Sequence, residues 1–506
     1  MKFTEKQQEA IDIRGCNVLV SAAAGSGKTG VLTERILSRL RDGESIDELL
    51  MLTFTRAAAG EMKNRIREKI RGEADGAGEE SRSFWQQQLT FLSDAPVTTI
   101  HSFCLRLLRR HYHLIPGLDP KFRIGDDRRM AILREDLLSA YLEECYTEAD
   151  EEKRRRFFDL LSLYGSRLSD EGLKKEILHL MDFSCAQGDP EAWLDEKYRR
   201  FCDIDGWYRE VMDVARQDIA LLKAETLHDI ETMNDLAGPL SAIETLKGDL
   251  LALSELETAE WDALSGAKPF GKKKPKRKEE DPGQNEYIKL RRDIRKKYFE
   301  DRVAVYFRRP FSDYAREISA VAEAIGTLTA MVKTFFQRYS EEKLKKATLD
   351  FSDLELLTLR LLKENPGLVR EYQSFFKEVL VDEYQDINPL QEQILSLLAG
   401  EGRLFAVGDI KQSIYGFRLA DHRLFQNRMV SYGLEKANEN GRLIYLNRNF
   451  RSRGEVLDLT NHVFSALMNP GVSGLSYGTE EALYCGADYR EQPGAEAELV
   501  VLDIPR

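Results

Sequence analysis

The stretch Val18-Leu19-Val20-Ser21-Ala22-Ala23-Ala24-Gly25-Ser26-Gly27-Lys28-Thr29 decides the fold. An apolar run, read as a buried strand, leads into a turn of small residues that ends in Gly-Lys-Thr. A helical pattern follows from Val31 to Leu40. Strand, glycine-rich turn and helix in that order make a phosphate-binding loop. The backbone N–H groups of residues 22–29 (Ala22, Ala23, Ala24, Gly25, Ser26, Gly27, Lys28, Thr29) would surround an anion. The helix N-terminus adds its partial positive charge. Lys28 is placed to reach the outer phosphates of ATP and Thr29 to hold Mg²⁺. Ala22 stands where the usual pattern has its first glycine.

A second short strand, Lys377 to Val381, ends in Asp382-Glu383-Tyr384-Gln385-Asp386. An isolated Asp-Glu pair is most often solvated surface charge. Two acids at the carboxyl end of a strand are different, because α/β sheets place catalytic groups there. Asp382 can share the metal with Thr29, and Glu383 can deprotonate an attacking water.

These segments, and others in the same order, resemble the UvrD-like superfamily 1 DNA helicases. Phe3-Thr4-x-x-Gln7-x-x-Ala10 is similar to the adenine-reading motif, and Leu52-Thr53-Phe54-Thr55-Arg56-Ala57-Ala58-Ala59 to a single-strand-contacting one. Thr99-Ile100-His101-Ser102-Phe103 and Leu349-Asp350-Phe351-Ser352-Asp353-Leu354 match two further segments. Val407 to Arg418 resembles motif III, and Leu446-Asn447-Arg448-Asn449-Phe450-Arg451-Ser452 resembles motif IV. Within the family, the wording around Lys411 and Phe417-Arg418-Leu419-Ala420 is most similar to AddA-type subunits of bacterial helicase–nucleases. Arg56, Phe417 and Phe450 depart from the commoner Asn, Trp and Tyr. The aromatic changes keep a stacking face, while the Arg56 change leaves its contact open.

The resemblance implies roles residue by residue. Gln7 and Phe450 hold the adenine, Gln412 senses the γ-phosphate, and Arg451 reaches it from across the cleft. Phe54, Thr55, His101, Phe417 and Arg418 contact single-stranded DNA. Phe103 is expected in the core, as phenylalanine usually is. The resemblance also implies 3′→5′ movement, contact with duplex DNA, a partner subunit resembling AddB, and action in double-strand break repair in the cytoplasm. Two other readings stay open: a stand-alone repair helicase, and a nucleotide- and DNA-binding module without turnover.

Composition suits a soluble, helix-rich protein. The chain has 506 residues, 42% hydrophobic and 32% charged, enough for two to four domains. No apolar run of about 18 residues is present, which predicts no membrane span. The N-terminus lacks the apolar core of a signal peptide. Six cysteines are scattered without a Cys-x-x-Cys pair, as in a reducing compartment. The net charge of −12 speaks against a broad basic surface. A single-strand groove needs only stacking rings and local cations.

The expected architecture is an α/β, RecA-like parallel sheet with a large all-helical insertion and the start of a second RecA-like domain. Strands are expected at Asn17–Ser21, Leu50–Phe54, Val97–Ile100, Lys377–Val381 and Leu404–Val407. Residues 1–115 and 347–434 are assigned to the first motor domain, 116–346 to the insertion, and 435–506 to the second domain. The spacing Met130, Leu133, Leu137, Leu138, Leu142 marks the insertion as helical. Lys268 to Lys278 is a basic run, read as a solvated loop or a contact to duplex phosphates. Arg442–Leu446 is expected to open the second domain, and Glu498–Asp503 to be a strand near the end of the chain. The family's remaining motifs and any nuclease pattern are expected beyond Arg506, in a longer protein.

Overall fold

The computed structural model describes residues 3–164, 169–236, 238–271, 282–433, 441–468 and 477–489. In chain order the elements begin with α1 (Glu5–Asp12), β1 (Val18–Ala22), α2 (Lys28–Arg41), β2 (Leu49–Thr53), α3 (Arg56–Gly76), α4 (Glu79–Phe91), β3 (Val97–Thr99) and α5 (Ile100–His111). After β4 (Arg123–Ile124) comes a helical stretch: α6 (Asp127–Tyr146), α7 (Glu151–Tyr164), α8 (Glu171–Cys185), α9 (Pro190–Cys202), α10 (Ile204–Asp235), α11 (Leu240–Glu257), α12 (Trp261–Leu264), α13 (Pro282–Tyr298) and α14 (Phe311–Lys345). The chain continues with β5 (Thr348–Leu349), α15 (Phe351–Glu364), α16 (Pro366–Phe375), β6 (Glu378–Val381), α17 (Pro389–Ala399), β7 (Leu404–Gly408) and α18 (His422–Gly433). It ends with β8 (Arg442–Leu446), β9 (Arg448–Asn449), α19 (Gly454–Leu467) and β10 (Tyr484–Cys485).

Six strands form one parallel sheet in the order β3-β2-β6-β7-β1-β8. Successive side chains of a strand point to opposite faces, and both faces are covered. Leu19, Leu50, Leu52, Val379, Val381, Leu404 and Ala406 join one apolar core. Val18, Val20, Leu49, Met51, Leu380, Phe405 and Val407 join the other. Strands buried on both sides read as nearly continuous apolar runs, which is why they are visible in the sequence. The α2 residues Val31, Leu32, Ile36, Leu37 and Leu40 are buried at helical spacing. That burial holds the helix behind the phosphate loop against the sheet.

The chain divides into two compact units, and the division falls elsewhere than the sequence suggests. The first unit comprises 1–139, 179–190 and 336–506; the second comprises 140–178 and 191–335. The helical excursion therefore starts later than residue 116. It is interrupted by a return at 179–190, where Ala186 O accepts from Leu390 N–H and Gln187 O from the Gln393 amide. The strand Arg442–Leu446 does not open a separate domain. It pairs with β1 along Val18–Ala22 and buries Ile444 and Leu446, closing the edge of the first sheet. Tyr372 and Phe376 enclose Phe103 in the core.

The second unit is helical throughout its described residues, around Met212, Ile219, Leu222, Trp261, Phe299 and Phe307. Buried Asp229 is paired with Arg291 and Arg295, so α10 and α13 are joined by charge as well as packing. Among the described residues, only α14 carries an 18-residue window apolar enough by composition to cross a membrane, with mean hydropathy 1.2. Its Val332 and Phe335 are buried, and Lys343 near its end is clamped by Asp350 and Asp353. Most of the basic run 268–278 and all of the strand expected at 498–503 lie outside the described residues.

Candidate nucleotide and DNA site

The phosphate loop sits between β1 and α2. Gly25 and Gly27 adopt φ of 69° and 83°, the left-handed region that costs other residues a Cβ clash. Gly25 is doubly constrained, because an added Cβ would lie 2.8 Å from Asn449 Nδ2. Ser26 Oγ is buried with no hydrogen-bond partner among the described residues. An unpaired buried hydroxyl is costly, and the N-terminus of α2 beside it leaves backbone N–H donors open. This donor set fits a polyphosphate.

Lys28 Nζ lies 3.4 Å from Glu383 Oε2, although 355 positions separate them. Strand order brings them together: β7 lies between β1 and β6, so the loop after β1 and the acids after β6 open on the same sheet edge. Asp382 N–H donates to Leu52 O at 2.9 Å, continuing the ladder from β6 into the acid pair. Burial, and then the neighbouring Glu383, push the Asp382 carboxyl up to about 6. A divalent cation would relieve that repulsion. Glu383 holds φ 52° and ψ 44°, a left-handed backbone that costs a non-glycine residue about 1–3 kcal/mol and concentrates at functional sites.

Gln385, which is buried, extends from this acid. Its Nε2 donates to Glu383 Oε2 at 2.8 Å, and its Oε1 accepts from Asp409 N–H at 2.9 Å. Asp409 in turn accepts from Gln412 Nε2 at 2.7 Å and pairs with Lys411 at 2.9 Å. A continuous polar chain thus joins Glu383 to Gln412. Gln385 and Asp409 are not singled out by the sequence, although both lie inside the quoted motifs.

Gln7 is committed at both ends of its amide. Oε1 accepts from Thr4 N–H at 2.8 Å in a capping box, and Nε2 donates to Ser26 O at 2.9 Å. An adenine read by Gln7 would have to share or displace these bonds. On the other side of the loop, Phe450 N–H donates to Gly25 O at 2.9 Å, and Asn449 Nδ2 donates to Ala24 O at 2.7 Å. Motif IV therefore docks on the loop through Asn449, a residue whose role no local pattern marks. The Phe450 ring faces Gly486, where a Cβ would come within 2.7 Å of it. Arg451 is exposed.

Phe54, Tyr415, Phe417 and Arg418 form a cluster. The Phe54 and Tyr415 rings are 4.6 Å apart and those of Tyr415 and Phe417 are 5.6 Å apart. The Arg418 guanidinium lies 5.4–5.9 Å from all three ring centres. Phe417 is 77% exposed, so the cluster offers an open aromatic face and a cation. Tyr415 is an addition to the expected set; its place in motif III is the available signal. Thr55 caps α3 by accepting from Ala58 N–H at 3.0 Å. His101 lies 3.2 Å from Glu355 Oε1. One cavity of about 650 Å³ is lined by Asp382, Glu383, Phe54, His101, Phe417 and Arg418.

Known proteins are similar to this chain in sequence. The model of the UvrD/REP helicase N-terminal domain matches residues 3–432. The chain is 36% identical over 528 residues to the A subunit of the ATP-dependent helicase/nuclease of Listeria welshimeri, covering 99% of this chain and 42% of that protein. It is 36% identical over 520 residues to the protein of the same name from Clostridium novyi, covering 97% and 41%. The like-named protein of Alkaliphilus oremlandii is 37% identical over 519 residues, covering 99% and 42%. The chain spans about two fifths of the length of the curated relatives it matches. With the phosphate loop, the paired acids and the aromatic–arginine cluster set on one parallel sheet, the chain belongs to the UvrD/REP helicase family.

Proposed function

We propose that this chain is the ATP-binding motor portion of a helicase–nuclease subunit of the AddA type, driving movement along single-stranded DNA. The observation that carries the reading is the single cavity lined by both the Asp382–Glu383 pair and the Phe54–Phe417–Arg418 cluster. ATP with Mg²⁺ supplies the phosphoanhydride whose hydrolysis powers the cycle. Lys28 and the backbone N–H groups of residues 25–29 bind the phosphates, and Thr29 and Asp382 hold the metal. Gln7 and Phe450 take the adenine. Glu383 orients a water and accepts its proton. Arg451 stabilises charge on the transferring group from the motif IV side. In this structure Lys28 occupies Glu383; binding of phosphate draws the lysine away and frees the carboxylate.

Gln385, Asp409 and Gln412 connect that carboxylate to the segment carrying Tyr415, Phe417 and Arg418. A change at the phosphate is thereby felt where bases stack. Movement is 3′→5′, duplex DNA is the substrate ahead of the motor, and an AddB-like subunit is the partner in break repair in the cytoplasm. Asn449, Phe450 and Arg451, just after β8, contribute the motif IV side of the nucleotide cleft. In the full-length protein, Glu383→Gln is expected to lower single-strand-stimulated ATP hydrolysis by about 10²-fold or more while leaving ATP binding intact. Hydrolysis by the unmodified protein that is indifferent to single-stranded DNA refutes the motor reading.

A further inference from the structure

Glu383 keeps its left-handed backbone between two fixed flanks. On one side the β6 ladder runs into Asp382, whose N–H donates to Leu52 O at 2.9 Å. On the other side Tyr384 opens the short turn Tyr384–Asp386 and is completely buried. Its hydroxyl donates to Glu392 Oε2 on α17 at 2.5 Å and accepts from Arg428 Nε on α18. Arg428 also pairs with Glu392 and donates to the Tyr432 hydroxyl. The ring of Phe425, also on α18, lies 6.0 Å from the Tyr384 ring. Two helices thus grip the side chain next to Glu383, and Arg428 holds both the phenol and the carboxylate that the phenol bonds.

A buried phenol needs only apolar neighbours for its ring and one partner for its oxygen. Here the oxygen is bonded as donor and as acceptor, directly beside a strained residue. A left-handed torsion at a non-glycine residue persists only where the surroundings over-determine it. The backbone bonds of Glu383 itself are local: its N–H donates to Asp382 Oδ1 at 3.1 Å, and its O accepts from Asp386 N–H at 3.0 Å. They move with the turn and do not fasten it to the rest of the fold. The Tyr384 clamp does, because Tyr384, Ile394 and Leu395 of α17, and Phe425 of α18 share one core. Gln385 Nε2 steadies the carboxylate end of Glu383; Tyr384 steadies its backbone end. With the clamp loosened, the turn can relax toward the right-handed region, and the Glu383 side chain swings with its Cα.

We infer that Tyr384 is a positioning residue for hydrolysis: clamped by Glu392 and Arg428, it keeps Glu383 in the backbone conformation that aims its carboxylate at the attacking water. The inference rests on the reading above that Glu383 serves that water. The test uses the full-length protein with saturating single-stranded DNA. ATP binding is followed with a fluorescent analogue and hydrolysis in a single turnover. Tyr384→Phe removes one oxygen and keeps the ring. It should slow hydrolysis by about 10-fold or more, the worth of a hydrogen bond to a charged group, with nucleotide affinity unchanged. Glu392→Met removes the acceptor from the α17 side and should slow hydrolysis to a similar degree. Glu392→Gln still accepts from the phenol and should recover most of the rate. In a Glu383→Gln background, Tyr384→Phe should cost nothing further, because the group it positions is gone. A merely structural phenol predicts a lower unfolding midpoint with the single-turnover rate of the folded protein unchanged. That result overturns the inference, and so does an equal slowing by Tyr384→Phe in the two backgrounds. If Glu383→Gln alone hydrolyses ATP at the unmodified rate, the reading of Glu383 fails instead.

Discussion

Replacing Asn449 by alanine should release the motif IV segment from the phosphate loop. The Asn449 amide is 2% exposed and is bonded at both ends. Nδ2 donates to Ala24 O at 2.7 Å, and Oδ1 accepts from the backbone N–H groups of Arg451 at 2.8 Å and Ser452 at 2.7 Å. Each bond is worth about 1 kcal/mol net; the Ala24 bond reaches the loop and the other two order the segment itself, so their joint loss costs the ordered, docked arrangement about 3 kcal/mol, or about 10²-fold in its equilibrium, of which about 1 kcal/mol is loop contact. Alanine leaves the Phe450 N–H to Gly25 O bond in place, so local release rather than global unfolding is the expected response. Amide hydrogen exchange at Arg451 and Ser452 reads it directly, and both should exchange about 10²-fold faster. Nucleotide affinity, followed with a fluorescent ATP analogue, should fall in parallel. Asn449→Asp sharpens the test: a carboxylate still accepts from the two N–H groups but faces the Ala24 carbonyl with like polarity. It should preserve amide protection while weakening the loop contact and nucleotide binding. Unchanged exchange at both amides in Asn449→Ala would refute the reasoning.

Lys28→Ala removes the loop's side-chain cation, and ATP·Mg²⁺ affinity measured by titration should drop sharply; an equal affinity removes the loop from the site. Phe417→Ala should weaken oligonucleotide binding by about 1–3 kcal/mol, the value of one stacked base, to a similar degree for every base composition. A loss confined to one base would point to edge recognition instead of stacking. Glu378→Gln addresses stability. Burial alone raises the Glu378 carboxyl, but Arg35 and then Arg39 outweigh it and leave the group below the usual carboxylate range. A depressed folded value stabilises the protein above the ordinary carboxylate range, and the contribution is lost as pH falls through the depressed value. Denaturant unfolding of Glu378→Gln near pH 7 should therefore show a loss of about 3–5 kcal/mol, as for a buried pair missing one partner, and that deficit should shrink at the acid end. A deficit independent of pH assigns the effect to packing.

Local pattern carries the nucleotide half of the site. Val18–Ala22, Glu378–Val381 and Arg442–Leu446 are legible as strands because each holds a short apolar run. Gly25, Gly27, Lys28, Asp382 and Glu383 announce themselves by residue type at the ends of such runs. The β8 strand shows the limit: its existence can be read, but its place beside β1 is a choice among sheet edges that no local spacing encodes. The same holds for His179–Pro190, whose return to the first unit depends on hydrogen bonds with α17 made far along the chain.

Polar partners are harder to see than apolar ones, because a hydrogen bond leaves no periodicity. Gln385, Asp409, Asn449 and Glu355 are ordinary polar letters until the fold sets them against Glu383, Gln412, Ala24 and His101. Tyr415, and not Phe417, is the ring that lies beside Phe54. The amino-acid sequence by itself determined that this protein has a phosphate loop, an acid pair at a strand end and a parallel sheet, since glycine torsions, helix termini and two-sided burial are local demands. Only the tertiary structure decided that Lys28 meets Glu383, that Asn449 fastens motif IV to the loop and that Glu355 holds His101. Those contacts depend on strand order and helix packing over hundreds of residues, where closeness in space is set by the whole core.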